Sequence, residues 1–276
     1  MGIYICPVCG KPLEIAGNAY KCEAGHSFDV SRSGYVNLLL SKHIGKTVHG
    51  DNKLMVRARR EFLEKGYYSP LCEALCRTCS KYFDGGVLLD AGCGEGYYTS
   101  AVARTLRESG SADVYGIDIS KIAVEFAAKR SPDINYSAAS VFHLPVQDAS
   151  CSMVITLFAP YCGEEFQRVL SSEGVLVMAI PSTDHLWELK QKIYDIPYKN
   201  EVKPFDLEGF RLLENEHIRF TMDIASQTDL QQLFSMTPYY YRTGPEQQKR
   251  LEAIESLSVT AEFELLTYRL TAKNEQ

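Results

Sequence analysis

The stretch VLLDAGCGEGYYT, residues 87–99, decides how this chain folds. Val87, Leu88 and Leu89 form a short apolar run that suits a buried strand, and Asp90 ends it. Gly92, Gly94 and Gly96 follow directly and open a helix. Their spacing is G-x-G-x-G, whereas a dinucleotide site uses G-x-G-x-x-G so that a pyrophosphate can sit on the helix N-terminus. Here Glu95 stands inside the turn with Asp90 beside it. Two carboxylates would repel a pyrophosphate, but they can receive the ammonium and sulfonium end of S-adenosylmethionine. Asp118 closes the next apolar segment, DVYGIDIS, 22 residues after Gly96, where an acid can accept hydrogen bonds from both hydroxyls of a ribose. The competing reading is a glycine turn of purely structural use.

The same texture continues on both sides. After the strand at 87–92, SAVARTLRES reads as a helix, DVYGIDIS as a strand, KIAVEFAAKRS as a helix, and INYSAAS and SMVITLFAP as strands. GEEFQRVLSSEG is expected to be a helix before the strand VLVMAIP. Strands alternating with helices indicate a parallel, doubly wound α/β sheet. Beyond Pro181 come a helix around HLWELKQKIYD, a strand FRLLENEHIRFTM, helical SQTDLQQLFSM and GPEQQKRLEAIES, and a closing strand AEFELLTYRL. Upstream, residues 51–83 read as two helices broken at KGYYSP, with Gly66 ending the first and Ser69-Pro70 capping and starting the second.

The front of the chain has a different character. CPVCGKPLEIAGNAYKCEAGH, residues 6–26, pairs a Cys-x-x-Cys knuckle, Cys6 and Cys9, with Cys22 and His26 after a twelve-residue gap. Short ribbon pieces with turns at CGK and AGN surround them. This set suits tetrahedral Zn²⁺ with all four positions filled by protein, hence a structural ion with no place for water. So small a ribbon has too little core to fold alone, which makes metal a physical requirement.

Charge divides the chain in the same place. Residues 1–81 hold 12 Lys and Arg against 7 Asp and Glu, whereas the remainder holds 17 against 28. The front is therefore the part suited to an anion, with Lys42, Lys46, Lys53, Arg57, Arg59 and Arg60 able to neutralise phosphates. Nine cysteines, an odd number scattered through apolar stretches, argue against a disulfide framework and for a reducing cytoplasm. No apolar run approaches the ~20 residues of a membrane helix, and the opening MGIYICPVCG has neither a signal-peptide pattern nor the Ser or Thr of a myristoylation site.

Taken together, the two knuckles, SRSGYVNLLL, GDNKLMVRARREFLEKGYYSPL, LDAGCGEGYYT, RSPDINYSAASVFHLP and MTPYYYR resemble the bacterial 23S rRNA (guanine-N1)-methyltransferases of the RlmA type, nearly end to end. The resemblance implies a Rossmann-like class I methyltransferase sheet with an N-terminal zinc ribbon. It implies methyl transfer from S-adenosylmethionine to N1 of a guanine in a hairpin loop of 23S rRNA, in the cytoplasm. Zinc would be held by Cys6, Cys9, Cys22 and His26, and Tyr68, Gly94, Glu95 and His185 would line the cofactor site beside Asp90, Gly92 and Asp118. The expected division is a ribbon over 1–40 for RNA recognition, a basic helical linker over 41–83 and a methyltransferase domain over 84–276. A homodimer is compatible with the resemblance.

Removal of the N1 proton calls for a general base, and Glu95 and His185 are the candidates, neither singled out by sequence. Tyr239, Tyr240 and Tyr241 are candidates for a wall on which an extruded base stacks, against the plainer reading of core residues. FAPY, residues 158–161, resembles the NPPY motif of enzymes that methylate exocyclic amines but lacks its Asn or Asp. Cys72, Cys76 and Cys79 share a helix face outside the family pattern and read as small buried thiols before a second metal cluster. A small-molecule methyltransferase would have no use for the ribbon, and an inactive RNA-binding relative would not need intact acids at 90 and 118.

Overall fold

The computed structural model describes residues 2–40 and 52–271. Its first part is a three-stranded antiparallel ribbon: β1 (Glu14–Ile15), β2 (Ala19–Lys21) and β3 (Ser27–Asp29). A short strand, β4 (Val36–Asn37), follows and runs parallel to the edge of the main sheet.

The next two elements are α1 (Lys53–Glu64) and α2 (Ser69–Tyr82). Asn52 caps α1 by accepting from the Met55 N–H at 3.0 Å. Gly66 turns the chain out of it, its N–H donating to the Leu63 carbonyl. Ser69 lies inside α2 and donates its hydroxyl to the Gly66 carbonyl, so it ties the turn together instead of capping. Phe62, Leu63, Tyr68, Leu71, Leu75 and Cys79 from these helices are buried in the core of the sheet domain. The described part of the segment expected as a linker, residues 52–83, therefore packs as a layer on the sheet.

The main sheet alternates strand and helix as its apolar runs require: β5 (Gly86–Ala91), α3 (Tyr97–Ser109), β6 (Ala112–Asp118), α4 (Lys121–Arg130), β7 (Asn135–Ala138), β8 (Cys151–Leu157), α5 (Gly163–Val169) and β9 (Leu170–Pro181). Then come α6 (Trp187–Ile193), β10 (Phe210–Ile224), α7 (Gln227–Ser235), α8 (Tyr239–Arg242), α9 (Pro245–Glu252) and β11 (Leu257–Leu270). The spatial order is β10-β11-β9-β8-β5-β6-β7-β4. From β9 to β4 the pairings are parallel, with β5 in the middle: Asp90 lies opposite Gly116 on one side and Ile155 on the other.

Two sequence expectations change. The sheet is not wholly parallel, because β11 runs antiparallel to both β9 and β10. The helix expected through Gly174 ends at Val169, and β9 begins at once. Phe166 and Val169 are the buried residues of α5, and the polar Ser171–Glu173 that follow offer nothing to bury on a helix.

The ribbon is joined to the body by a shared core. Tyr4 packs edge-on against Tyr20 of the ribbon and Tyr115 of β6, at 5.5 and 5.2 Å between ring centroids. The Ile5 N–H donates to the Pro145 carbonyl at 2.9 Å. Val36 of β4 pairs with Ser137 of β7, which gives the sheet an eighth strand. Among the described residues no helix is long and apolar enough to cross a membrane.

Candidate cofactor site and metal centre

The glycine turn sits at the carboxyl end of β5, the crevice where open α/β sheets take ligands. Gly92 has φ +97°, and a Cβ there would lie 2.3 Å from that of Ala159, so the turn is pressed against the loop after β8. Gly96, at φ +83°, starts α3 without a side-chain cap, which leaves that helix's first N–H groups facing the turn.

The acids of the motif occupy three different environments. Asp90 is 2% exposed, and its Oδ2 accepts from the Thr99 hydroxyl at 2.6 Å while Oδ1 is buried without a partner. Burial pushes its carboxyl up to about 7, aided by the charge of Asp118 and opposed by Thr99. Glu95, also 2% exposed, is paired with Arg130 of α4 at 2.5 Å, and its Oε1 is buried and unpartnered. Burial raises the Glu95 carboxyl above its usual range while Arg130 pulls against it. Asp118 accepts from the Gly94 N–H at 3.0 Å and from the Ser120 N–H at 2.8 Å, one to each oxygen. A carboxylate offers about four lone-pair positions, so two backbone donors do not exhaust it.

Two buried carboxylate oxygens without donors at a glycine turn are costly unless a cation meets them. The ammonium and sulfonium of S-adenosylmethionine are such charges, so the residues present fit the cofactor. Asp90, Glu95 and the turn would hold its charged end, and Asp118 its ribose.

Tyr68 and His185, distant in sequence, meet on Phe263 of β11. Tyr68 lies 5.3 Å and His185 4.5 Å from that ring, and 6.3 Å from each other. Phe158, after β8, touches the same ring at 5.5 Å and Tyr98 of α3 at 6.5 Å, which links this aromatic group to the glycine turn. Burial, helped by the Lys190 ammonium, holds His185 down at about 3, so the ring is neutral. Its Nδ1 accepts from the Glu262 N–H at 3.2 Å, which assigns the proton to Nε2. His185 is therefore poised as a donor, and Glu95 is engaged with Arg130.

Several participants gave no linear signal. Arg59 of α1 donates to the Met236 carbonyl at 3.0 Å and reaches within 3.9 Å of the place a Gly94 Cβ would take. It thereby brings the RARRE segment, the glycine turn and MTPYYYR to one point. Arg130 and Thr99 are ordinary helix residues until the fold places them on Glu95 and Asp90. Tyr239 is 7% exposed and packs beside Tyr194 and Lys190, so it is core and not an open wall. Tyr240 is half-buried against Phe234. Cys72 and Cys79 are buried and Cys76 partly so; among the described residues they join no metal-type cluster. Lys42 and Lys46 lie outside the described residues.

The ribbon brings Cys6, Cys9, Cys22 and His26 together, their ligand atoms all within 4.8 Å of one another. Cys9 Sγ and Cys22 Sγ are 3.8 Å apart, and His26 Nδ1 lies 3.5 Å from Cys6 Sγ and 3.4 Å from Cys22 Sγ. A tetrahedron with Zn–S of about 2.3 Å and Zn–N of about 2.0–2.1 Å has edges of about 3.8 Å (S–S) and about 3.5 Å (S–N). The site matches zinc in donor chemistry and in shape.

Comparison with known proteins agrees. The family model described as "RlmA, N-terminal" matches residues 4–43, and that described as "Methyltransferase domain" matches residues 83–237. A Streptomyces fradiae protein named 23S rRNA (guanine(748)-N(1))-methyltransferase is 31% identical over 270 residues, covering 94% of each chain. A Micromonospora griseorubida protein, provisionally described as a 23S rRNA (guanine-N(1)-)-methyltransferase, is 32% identical over 291 residues and 96% of each chain. The chain belongs to the 23S rRNA (guanine-N1)-methyltransferase family. The BH2331 protein of Bacillus halodurans shares the fold, with a TM-score of 0.50 at 17% identity over 73% of this chain and 99% of its own. Members of this family are S-adenosylmethionine-dependent methyltransferases with a zinc ribbon, and both sites found here carry the donors that description requires.

Asp118→Ala is expected to weaken binding of S-adenosylhomocysteine by ~1–3 kcal/mol, the scale of losing hydrogen bonds to a charged acceptor. It also frees the Gly94 N–H, so the turn itself should loosen. Calorimetric titration reads the change; unaltered affinity would show that the ribose is held elsewhere.

Proposed function

We propose that this methyltransferase modifies N1 of a guanine in a hairpin loop of 23S rRNA. The observation that supports this most is the convergence at Arg59, where the RARRE segment, which precedes the general methyltransferase match, meets both the glycine turn and the start of MTPYYYR. The relatives' names point the same way.

In this reading residues 1–40 dock the RNA, residues 41–83 supply cations and one wall of the site, and residues 84–276 carry the chemistry. Lys21, Arg32, Lys53 and Arg57 are exposed and suited to phosphates, and recognition would rest on hairpin shape and splayed loop bases. A ribosomal RNA substrate places the reaction in the cytoplasm. Bound S-adenosylmethionine supplies an electrophilic methyl group. The chain's own work is to hold the charged end of the cofactor with Asp90 and Glu95, to keep water out with Tyr68, Phe263 and His185, and to align N1 with the methyl. N1 must lose its proton, finally to solvent, and while the methyl has not yet arrived this leaves negative charge on the ring. Arg59 is the cation at hand to oppose that charge. With the His185 proton on Nε2 and its Nδ1 on the Glu262 N–H, His185 is not free to take the N1 proton, whereas Glu95 meets Arg130 through Oε2 alone.

N1 lies on the Watson–Crick edge, so the product cannot pair with cytosine. Primer extension on 23S rRNA should therefore stop at the modified nucleotide, lose the stop when the gene is deleted, and regain it with the wild-type copy. A stop that survives deletion, or methyl label recovered in adenosine, would overturn the guanine-N1 assignment. Methyl transfer to small-molecule extracts but never to RNA would favour a small-molecule enzyme.

A further inference from the structure

Of the tyrosine run, Tyr239 cannot serve as an open wall, since it is buried with the Lys190 ammonium 5.2 Å from its ring centre. Tyr68 and Phe263 are buried too. Phe158 differs: the residue is 47% exposed, although its ring stands against Phe263 and Tyr98. Its backbone is left-handed, at φ +57°, a conformation uncommon for any residue but glycine and an outlier for a bulky one. The strain is maintained by position: the Phe158 N–H donates to the Ala179 carbonyl of β9, and the neighbouring Ala159 bears on Gly92 of the glycine turn. Such conformations persist where the surroundings over-determine them, commonly at ligand sites. A second observation points to a ligand. The Tyr98 hydroxyl, next to Phe158, is buried with no hydrogen-bond partner.

An apolar residue held exposed beside the glycine turn at energetic cost needs an apolar face to cover it. We infer that Phe158 is the platform on which the target base stacks while the methyl is transferred. This rests on the reading above that the substrate is a base of RNA. A flipped base always offers a π-face, and stacking on an aromatic side chain is worth about 1–3 kcal/mol per base. The left-handed kink aims the ring, and Tyr98 stands ready to meet a polar edge. The Asn of the NPPY pattern would hold an exocyclic amine; this chain has Phe at that place in FAPY, which grips the face of the ring and leaves its edge to other groups.

The test compares Phe158→Tyr, Phe158→Leu and Phe158→Gly in the full chain, using rRNA from a strain that lacks the gene. Glycine suits the left-handed backbone, so that variant guards against misfolding, and its melting temperature is expected to be no lower than that of Phe158→Leu. Phe158→Tyr should keep kcat/KM within about threefold of wild type. Leu and Gly should lose roughly ten- to a hundredfold, the equivalent of one base stack. Affinity for S-adenosylhomocysteine should stay within about twofold in all of them. Leu performing as well as Tyr, or cofactor affinity falling in step with activity, would overturn the platform. Wild-type protein inactive on rRNA sinks the RNA reading and the platform with it, whereas active wild type with unaffected variants sinks the platform alone.

Discussion

Cys9→Ser is expected to release the zinc, unfold the ribbon and abolish methylation of RNA. The ribbon's own sheet has strands of two or three residues, and its interior is little more than Tyr4, Leu13, Tyr20 and the ligands themselves. Metal binding is folding free energy in such a unit, on the order of 10–16 kcal/mol in zinc-finger peptides, and one lost thiolate removes a large share. The damage should reach the body, because Tyr4 packs on Tyr115 and β4 closes the edge of the main sheet. At ~2–4 °C per kcal/mol for a chain of this size, a loss of several kcal/mol lowers Tm by roughly 10 °C. Affinity for S-adenosylhomocysteine should change only a few-fold. The groups proposed to hold the cofactor, Asp90, Glu95 and Asp118, bond to Thr99, Arg130, Gly94 and Ser120, none of them in the ribbon. Metal analysis, a melting curve and a calorimetric titration check the three statements. Zinc-free wild-type protein would sink the first, and equal loss of RNA activity and cofactor affinity would show that the ribbon also supports the catalytic site.

Asp90→Asn is expected to do the reverse: stabilise the protein and weaken cofactor binding. With its carboxyl raised from 3.8 to about 7, folded Asp90 binds a proton more tightly than the unfolded chain does. The folded state is therefore favoured at low pH, and this stability is lost as pH rises from about 4 through about 7. A shift of that size corresponds to roughly 4 kcal/mol as an upper bound. Asn keeps a partner for Thr99 without the buried charge, so Tm at about pH 8 should rise. In the proposed reading the charge serves the cofactor. Above pH ~7 the carboxylate is present and meets the cation; below it, affinity should fall by up to about tenfold per pH unit, with proton uptake by the free protein. Loss of a hydrogen-bonded charge pair is worth about 1.5–3 kcal/mol. The variant should therefore bind S-adenosylmethionine roughly ten- to a hundredfold more weakly, with the pH dependence flattened. Calorimetry at about pH 6 and about pH 8 in buffers of different ionisation enthalpy reads both affinity and proton release. PH-independent binding by the wild type would show that Asp90 does not face the cofactor's charge.

What could be read from the linear chain was whatever local spacing dictates. Val87–Asp90 followed by glycines at 92, 94 and 96 can make only a tight strand-to-helix turn, and an acid at 118 falls at the end of the next strand because each strand–helix unit has a set length. Cys6, Cys9, Cys22 and His26 are close in sequence, so their spacing alone nearly closes a tetrahedron around zinc. Tertiary structure decided what depends on contacts between distant residues. No local pattern reverses β11 between β9 and β10, because strand direction depends on where the preceding helices dock. Arg130 finds Glu95 across 35 residues and Arg59 finds Met236 across 177, and a helix face does not record what it will pack against. The tyrosines at 239–240 and the Phe at 158 are alike in composition. Packing buries Tyr239 and half-buries Tyr240, while a left-handed turn holds Phe158 open, because exposure belongs to the assembled layers and not to the residue.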